Sequence, residues 1–266
     1  MLSTVKHLRN YAIHTTDGAI GHVRDVYFDD HSWVVRYLVV ETSGLRPVRK
    51  VLISPISVTS VDAMKRVLTL SITRQQVEDS PGIDTDKPLS RGHERSVLGY
   101  YGYPYYWDAE GLRGTGSFSS ALLNMSERGM ATPPHGAADI ERAQEIQEAG
   151  LGSDADIHLH SCREVAGYRI EAADGRMGQV AGFLLEESTW AIRYLVVNTS
   201  KWWSDHDVLV AVQWISNVRW LDNTVTVALT CQAVKDSPAY DPERAMGREQ
   251  EAALFEHYGR DAYWDD

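Results

Sequence analysis

The chain repeats itself once, at a constant offset of 157 residues and without a gap. Residues 2–108 align with residues 159–265, and between 11–43 and 168–200 fourteen of thirty-three positions are identical. A repeat of about a hundred residues is longer than a solenoid unit, whose period is roughly 20 to 50 residues, and has the size of a small domain. The sequence therefore predicts two similar domains in tandem.

Turn and strand residues within one copy predict an all-β domain. Asp17-Gly18 lies between the strand-like segments 12–15 and 21–29 and suits a tight hairpin, because glycine accepts positive φ. The segment 33–41 is rich in β-branched and aromatic residues, and its residues 38–40 are apolar on both alternating faces, which indicates a central, fully covered strand. Three shorter strands are predicted further along the chain, at 50–54, 57–61 and 67–72.

The strands of each copy are followed by a predicted short helix. Thr73 and its counterpart Thr230 are suitable N-cap residues, and Pro81 and Pro238 end the helical segments. Strands at such short intervals favour a closed or nearly closed barrel, which leaves few free edges. We expect an all-β fold, a tandem duplication of a small barrel of about six strands, each copy with a short C-terminal helix.

The residues shared by the copies resemble the PRC-barrel, a domain of the photosynthetic reaction-centre H subunit and of a ribosome maturation factor. The resemblance lies in an Asp-Gly-x-x-Gly turn, a strand, an acidic pair, a Trp and the run Arg-Tyr-Leu-Val-Val. The matching positions are Asp17, Gly18, Gly21, Asp29, Asp30, Trp33 and 36–40, and Asp174, Gly175, Gly178, Glu186, Glu187, Trp190 and 193–197. The resemblance implies a docking or assembly module. The chain has neither the membrane helix of the H subunit nor the extra N-terminal domain of the ribosome factor, so neither specific role follows.

The repeat predicts five segments along the chain. These are a first PRC-barrel repeat (1–84), an aromatic segment (85–108), a flexible linker (109–158) with a short helix at 139–149, a second repeat (159–241) and a C-terminal helical and aromatic segment (242–266). The aromatic segments can pack on the protein itself or bind a partner, and packing is the interpretation favoured here, since both copies carry them.

Charge is distributed unevenly between the copies. Residues 1–108 carry 13 basic and 12 acidic side chains, whereas residues 159–266 carry 10 and 17, a net charge of −7. Clustered Lys and Arg are required for nonspecific nucleic-acid binding, so we expect none at the second copy. The first copy leaves open an alternative function as a ribosome- or RNA-associated maturation factor.

The loops that differ between the copies are the candidate partner-binding sites. The first copy has a basic loop at 44–50, and the second copy has an aromatic and acidic loop at 201–207. Tryptophan is enriched among the residues that dominate binding at protein interfaces. The candidate binding residues are Trp202, Trp203, Asp205, Asp207, Arg46, Arg49 and Lys50. The partners expected are proteins of unspecified identity, with self-association or pseudo-twofold pairing of the two barrels as further forms of contact.

Residue patterns typical of catalysis are missing from the sequence, so no catalytic residue, cofactor or metal is predicted. The spacing His158-x-His160-x-Cys162 would place three zinc ligands on one face of a strand, but the first copy has Met1, Ser3 and Val5 there. The acidic pairs 29–30 and 186–187 precede a turn, where solvated carboxylates are ordinary. A second alternative is a small-ligand or metal-binding protein or an enzyme, with a site between the repeats.

The remaining expectations concern the cell compartment. The chain has no apolar segment of the roughly eighteen residues that a membrane span needs, and its first residues do not resemble a signal peptide. The two cysteines, Cys162 and Cys231, occupy unmatched positions and are expected to be unpaired. A cytoplasmic location is therefore predicted.

Overall fold

A computed structural model describes residues 1–43, 48–85, 87–107, 158–199, 206–242, 244 and 246–264. The predicted helix at 139–149 lies outside these residues. The described fold is mostly β, as predicted. Within the described ranges, no helix is both long and apolar enough to span a membrane. Cys162 and Cys231 are not joined in a disulfide bond.

The described residues form fourteen strands. In chain order they are β1 (Leu2–Thr4), β2 (Ala12–Thr15), β3 (Gly18–Asp29), β4 (Val34–Thr42), β5 (Lys50–Ile53), β6 (Val58–Asp62), β7 (Val67–Leu70), β8 (Leu159–Ser161), β9 (Arg169–Ala172), β10 (Gly175–Glu186), β11 (Ala191–Asn198), β12 (Asp207–Ala211), β13 (Ile215–Arg219) and β14 (Thr224–Val227). The strands predicted for the first copy are all present, with ends shifted by no more than three residues.

Six α-helices accompany these strands in the described residues. They are α1 (Val5–Leu8), α2 (Arg74–Asp79), α3 (Arg91–Tyr101), α4 (Cys162–Val165), α5 (Cys231–Lys235) and α6 (Arg248–Tyr258). Short 3₁₀ turns lie at Pro55–Ser57, Val212–Trp214 and Trp220–Asp222. The hydroxyl groups of Thr73 and Thr230 cap α2 and α5, as predicted.

The chain divides into two compact units that follow the two copies except at three short segments. The first-copy unit contains Leu8–Ser161 and Ser188–Trp190, and the second-copy unit contains Met1–His7, Cys162–Glu187 and Ala191–Asp266. Strand β1 therefore belongs to the unit of the second copy, where it pairs with β10. Strand β8 belongs to the unit of the first copy, where it pairs with β3. The repeat boundaries in sequence, 1–84 and 159–241, assign each of these strands to its own copy.

Both units use the same order of hydrogen-bonded strands. In the first-copy unit the order is β6–β7–β2–β3–β4–β5, with only the β2–β7 pair parallel. In the second-copy unit it is β13–β14–β9–β10–β11–β12, with β9–β14 parallel. Among the described residues no ladder joins the two end strands of either unit, so hydrogen bonding leaves each sheet open. The predicted closed barrel is therefore not formed by the strand ladders. In each unit a 3₁₀ turn, Pro55–Ser57 or Val212–Trp214, lies between the two end strands and separates them.

A glycine at the fourth position of each long strand permits close packing of the central ladder. Gly21 faces the backbone of β4, and a Cβ built there would lie 2.0 Å from the carbonyl oxygen of Glu41. At the matching Gly178 the distance to the carbonyl oxygen of Asn198 would be 2.5 Å. Strand β4 itself is buried over Val34–Val40, which confirms the prediction of a central covered strand. Only glycine fits a strand that approaches its neighbour this closely.

The aromatic segment after the first copy packs within its own unit. The sequence did not predict α3, whose residues include two glycines, Gly92 and Gly99, and two tyrosines, all weaker helix formers than alanine or leucine. Tyr101 is buried, and the hydroxyl group of Tyr103 is 2.8 Å from that of Ser57. The helix is fixed by such contacts with the sheet, which compensate for its weak propensity.

Candidate functional site

A buried polar cluster joins α3 to the sheet of the first-copy unit, and we call it the Glu94 cluster. Glu94 is 0% and His158 3% exposed. The hydroxyl group of Tyr106 donates to Glu94 Oε2 at 2.7 Å and lies 2.8 Å from His158 Nε2. His158 Nε2 is 3.0 Å from Glu94 Oε1, and the guanidinium group of Arg36 stacks 4.0 Å from the centre of the Tyr106 ring. Arg91 Nη1 lies 3.4 Å from Glu94 Oε1, so the carboxylate has a hydrogen-bonding and a cationic partner that offset its burial.

The second-copy unit contains the same arrangement around Glu251. The hydroxyl groups of Tyr194 and Tyr263 donate to Glu251 Oε1 at 2.9 and 2.7 Å. Arg193 stacks 4.2 Å from the centre of the Tyr263 ring, and Arg248 lies 3.2 Å from Glu251 Oε2. Apart from His158, whose counterpart is Met1, both copies build this cluster from matching positions, so it is best explained as part of the shared scaffold.

Burial and the nearby carboxylates raise the pKa of the tyrosines in both clusters. Burial, reinforced by the negative charge of Glu94, raises the pKa of Tyr37 and of Tyr106 well above the usual value. Burial and Glu251 likewise raise the pKa of Tyr194, and they raise that of Tyr263 to about 12. These phenols are neutral hydrogen-bond donors at neutral pH, which suits a structural role.

The acidic pair before the β3–β4 turn is not simply solvated, contrary to the interpretation of the sequence. Asp29 is buried, and its Oδ1 accepts hydrogen bonds from the backbone amides of His31 and Ser32 at 3.0 and 2.9 Å. Arg36 Nε lies 3.9 Å from Asp29 Oδ2, and in the second copy Arg193 pairs with Glu186 at 2.6 Å. The turn residues explain this difference, because their amides need an acceptor once the turn is closed.

The sequence-predicted partner-binding residues fall into two groups. Arg46, Trp202, Trp203 and Asp205 lie outside the described residues. The other three contact their own unit. Arg49 donates to the carbonyl group of Glu78 at 2.8 Å and also to that of Ser80. Lys50 Nζ donates to the hydroxyl group of Thr85 at 2.6 Å. Asp207 accepts a hydrogen bond from the side-chain amide of Asn198 at 2.7 Å. Their role in partner binding stays a prediction.

A surface pocket of about 190 Å³ lies in the second-copy unit, between β12 and α6. Six of the residues that line it are Leu209, Tyr240, Arg244, Met246, Ala253 and Leu254. Asp207, at the end of the aromatic and acidic loop, is the first residue of β12, and its carbonyl group accepts from the backbone amide of Tyr240 at 2.7 Å. The pocket is therefore connected directly to the loop in which the copies differ.

Three possible metal ligands of the sequence have different surroundings. His158 contacts the Glu94 cluster, whereas His160 Nε2 lies 3.3 Å from Asp30 Oδ2. Cys162 begins α4 in the second-copy unit and is buried. Strand β8 ends at Ser161, so the extended backbone that would align all three residues is not formed. A different group of potential ligands, Asp29, Asp30 and His31, has donor atoms within 4.8 Å of one another.

Comparison with known proteins adds no family assignment. A scan against protein-family models found no match to this chain, and a search of curated proteins found no significantly similar sequence.

Sequence reasoning missed the two buried glutamates and the pocket. A signal for the glutamates was present, because Arg91-x-x-Glu94 returns at the same offset as Arg248-x-x-Glu251. The pocket has only a weak signal in the sequence. It depends on small differences such as Ser96 against Ala253, whose effect is set by packing rather than by residue type.

Proposed function

We propose that this chain is a non-enzymatic protein-binding module built on two PRC-type barrels, and that a partner docks at the pocket of the second-copy unit. The PRC-type assignment rests on the shared turn, Trp and central-strand residues and on the common strand order of the two units. The polar residues that the copies share support a scaffold role, since they contact one another within each unit. Partner recognition is thus assigned to features that one copy has and the other lacks.

The observation that carries this proposal is the different burial of matching helix positions. Ser96 on α3 is 1% exposed, whereas the matching Ala253 on α6 is exposed. Leu89, just before α3, is 4% exposed, whereas the matching Met246 is partly exposed and lines the pocket. The helix face that is covered in the first copy is open to a partner in the second.

The chemistry of the pocket favours a protein segment with one bulky apolar side chain next to basic residues. A volume of about 190 Å³ is smaller than the roughly 300 to 1,000 Å³ typical of small-molecule sites, and Leu209 and Leu254 form an apolar floor. A single anchor side chain fits such a space. The net charge of −7 on residues 159–266 favours a positively charged partner.

A pair of neighbouring positions on α6 tests this proposal. Ala252 and Ala253 are both exposed, and only Ala253 lines the pocket. A photo-crosslinking amino acid at position 253 is expected to capture a partner in the native host that the same group at position 252 does not capture. The captured protein is then purified, and its Kd for the intact chain is measured.

Ala253→Arg is expected to raise that Kd at least about tenfold, because it fills the pocket and repels basic residues, whereas Ala252→Arg leaves it unchanged. Equal effects of the two variants would reject the pocket as the docking site. Unchanged binding by Trp202→Ala/Trp203→Ala would remove these tryptophans from the interface while leaving the pocket in place.

RNA association through the first copy is less well supported. Two of its three candidate basic residues, Arg49 and Lys50, donate hydrogen bonds to their own unit. An electrostatic RNA complex would weaken steeply with added salt and with loss of these charges.

A further inference from the structure

A second group of residues, separate from the pocket and from the Glu94 cluster, has the composition of a metal site. Asp30 lies at the end of β3, and one histidine faces each of its carboxylate oxygens. His31 Nδ1 is 2.7 Å from Asp30 Oδ1, and His160 Nε2 is 3.3 Å from Asp30 Oδ2. All three residues belong to the first-copy unit.

The backbone holds the three side chains together. Strand β8 pairs with the end of β3, so that His160 is opposite Phe28 in the ladder. The backbone amide of Asp30 donates to the carbonyl group of His158 at 3.0 Å, which fixes β8 beside the turn. His160 is thus held by strand pairing, while the 85% exposed side chain of His31 can rotate toward an ion.

The neighbouring Asp29 is not one of the ligands, although its oxygens are close. Its Oδ1 accepts from two turn amides and from the hydroxyl group of Ser32, and its Oδ2 faces Arg36. Asp30 contacts the two histidines instead, and their proximity contributes to lowering its pKa against the opposing effect of burial. The set available to an ion is therefore two imidazole nitrogens and one carboxylate.

The two copies differ at all three positions. Asp30, His31 and His160 correspond to Glu187, Ser188 and Ser3 at the 157-residue offset. The hydroxyl group of Ser3 donates to Glu187, so a serine and an acid satisfy each other at the matching place in the second-copy unit. The shared fold hence does not require a histidine at either position, and the first-copy unit has histidines at both.

We propose that Asp30, His31 and His160 bind a divalent transition-metal ion, with Zn²⁺ as the ion of best fit. Imidazole nitrogen with one carboxylate is typical of zinc and similar ions, whereas Ca²⁺ and Mg²⁺ prefer oxygen ligands only. Zinc bonds of about 2.0 to 2.2 Å place neighbouring ligand atoms roughly 3 to 3.5 Å apart. The contact of Asp30 with His160, at 3.3 Å, already has this separation, and rotation of the His31 side chain is needed to bring its nitrogen beside that of His160. Three protein ligands leave a fourth position for water or for a group of a bound partner. This inference is independent of the docking pocket.

Titration of the untagged, metal-free full chain with Zn²⁺ in a calorimeter tests the site. One ion is expected to bind per chain, and metal analysis after gel filtration is expected to find the same ratio. His31→Ser/His160→Ser introduces the serines found at the matching positions and is expected to weaken Zn²⁺ binding by more than about 100-fold. A loss of this size exceeds the effect of removing a residue that only contacts a metal ligand. His7→Ser/His14→Ser removes two other exposed histidines and is expected to leave the affinity unchanged.

Two further variants keep the result interpretable if the double variant folds poorly. His31→Ser changes only an exposed side chain, and Asp30→Asn retains both imidazoles while removing the charge. Each is expected to weaken Zn²⁺ binding at least about tenfold with an unchanged circular dichroism spectrum. The proposal would be overturned if the wild-type chain did not bind Zn²⁺. It would also be overturned if these variants bound Zn²⁺ as tightly as the His7→Ser/His14→Ser control.

Discussion

At the scale of single residues, the two buried glutamates are the least expected feature of the molecule. A carboxylate is rarely buried completely unless cationic and hydrogen-bonding groups surround it. Arg91, Tyr106 and His158 provide this environment for Glu94, and Arg248, Tyr194 and Tyr263 provide it for Glu251. The aromatic segment after each helix is thereby tied to the central strand of its unit.

Glu94→Ala is expected to destabilise the protein by about 3 to 5 kcal/mol, because it leaves Arg91 and the buried hydroxyl group of Tyr106 without the carboxylate that they contact. The free energy of unfolding is measured by urea denaturation. Glu249→Ala, a change at an exposed glutamate on α6, serves as the control and is expected to change it by less than about 0.5 kcal/mol. A similar small loss for Glu94→Ala would show that the cluster contributes little to stability.

Residue-level reasoning from the sequence succeeded where partners are close along the strands and failed where they are distant. The alternation of side chains on adjacent strands allows Arg36 to pair with Asp25 or Asp29, and the pair with Asp29 is found at 3.9 Å. The contact of Glu94 with His158 joins residues 64 positions apart in sequence. Only the folded sheet brings such residues together, since no local pattern specifies the separation.

At the scale of elements, the Asp-Gly turn has a second role besides the hairpin. Asp17 accepts a hydrogen bond from the backbone amide of Arg74 at 2.7 Å, and Asp174 accepts one from that of Cys231 at 2.7 Å. Each amide belongs to the first residue of a helix, α2 or α5, where backbone donors have no helical partner. The turn therefore also fixes the closing helix, which explains why this aspartate is identical in the two copies.

The double variant Asp17→Asn/Asp174→Asn tests this link through pH. Hydrogen bonds from these amides lower the pKa of both carboxyl groups from 3.8 in the folded protein. The folded state therefore favours the charged form, and its stabilising effect is present above about pH 4 and is lost as pH falls through the lowered pKa. We expect the wild type to be more stable than the variant at pH 7, and the difference to shrink below pH 4 in urea denaturation. A difference that is constant from pH 7 to pH 3 would contradict this account.

At the scale of the whole molecule, each compact unit contains one strand from the other half of the chain. Leu2–Thr4 pairs with β10, and Leu159–Ser161 pairs with β3. Neither half of the chain therefore contains all the strands of a complete unit. Loss of a short strand would leave part of the long strand β3 or β10 without a hydrogen-bonding partner, which is costly for a buried backbone.

Cleavage of the chain between the copies tests this exchange. A protease site inserted near position 130, within the predicted linker, allows the intact folded protein to be cut. We expect the two halves to remain together in size-exclusion chromatography without denaturant, because residues 1–7 and 158–161 hold them in the opposite units. An uncut sample without the site is the control, and separate elution of two folded halves would show that the exchanged strands are dispensable.

The duplication, the main strands of each copy and the capped helix after them could all be predicted from the sequence. These features depend on local physics, namely turn residues such as Asp17-Gly18, alternation of apolar side chains and the cap at Thr73. Tertiary structure alone decided which short strand completes which unit. Leu2–Thr4 and Leu159–Ser161 occupy equivalent positions of one repeat, so both fit either long strand by local pattern. The tertiary structure of the whole chain selects between these two nearly equal pairings. The same selection determines which side chains, such as His160, lie in each unit.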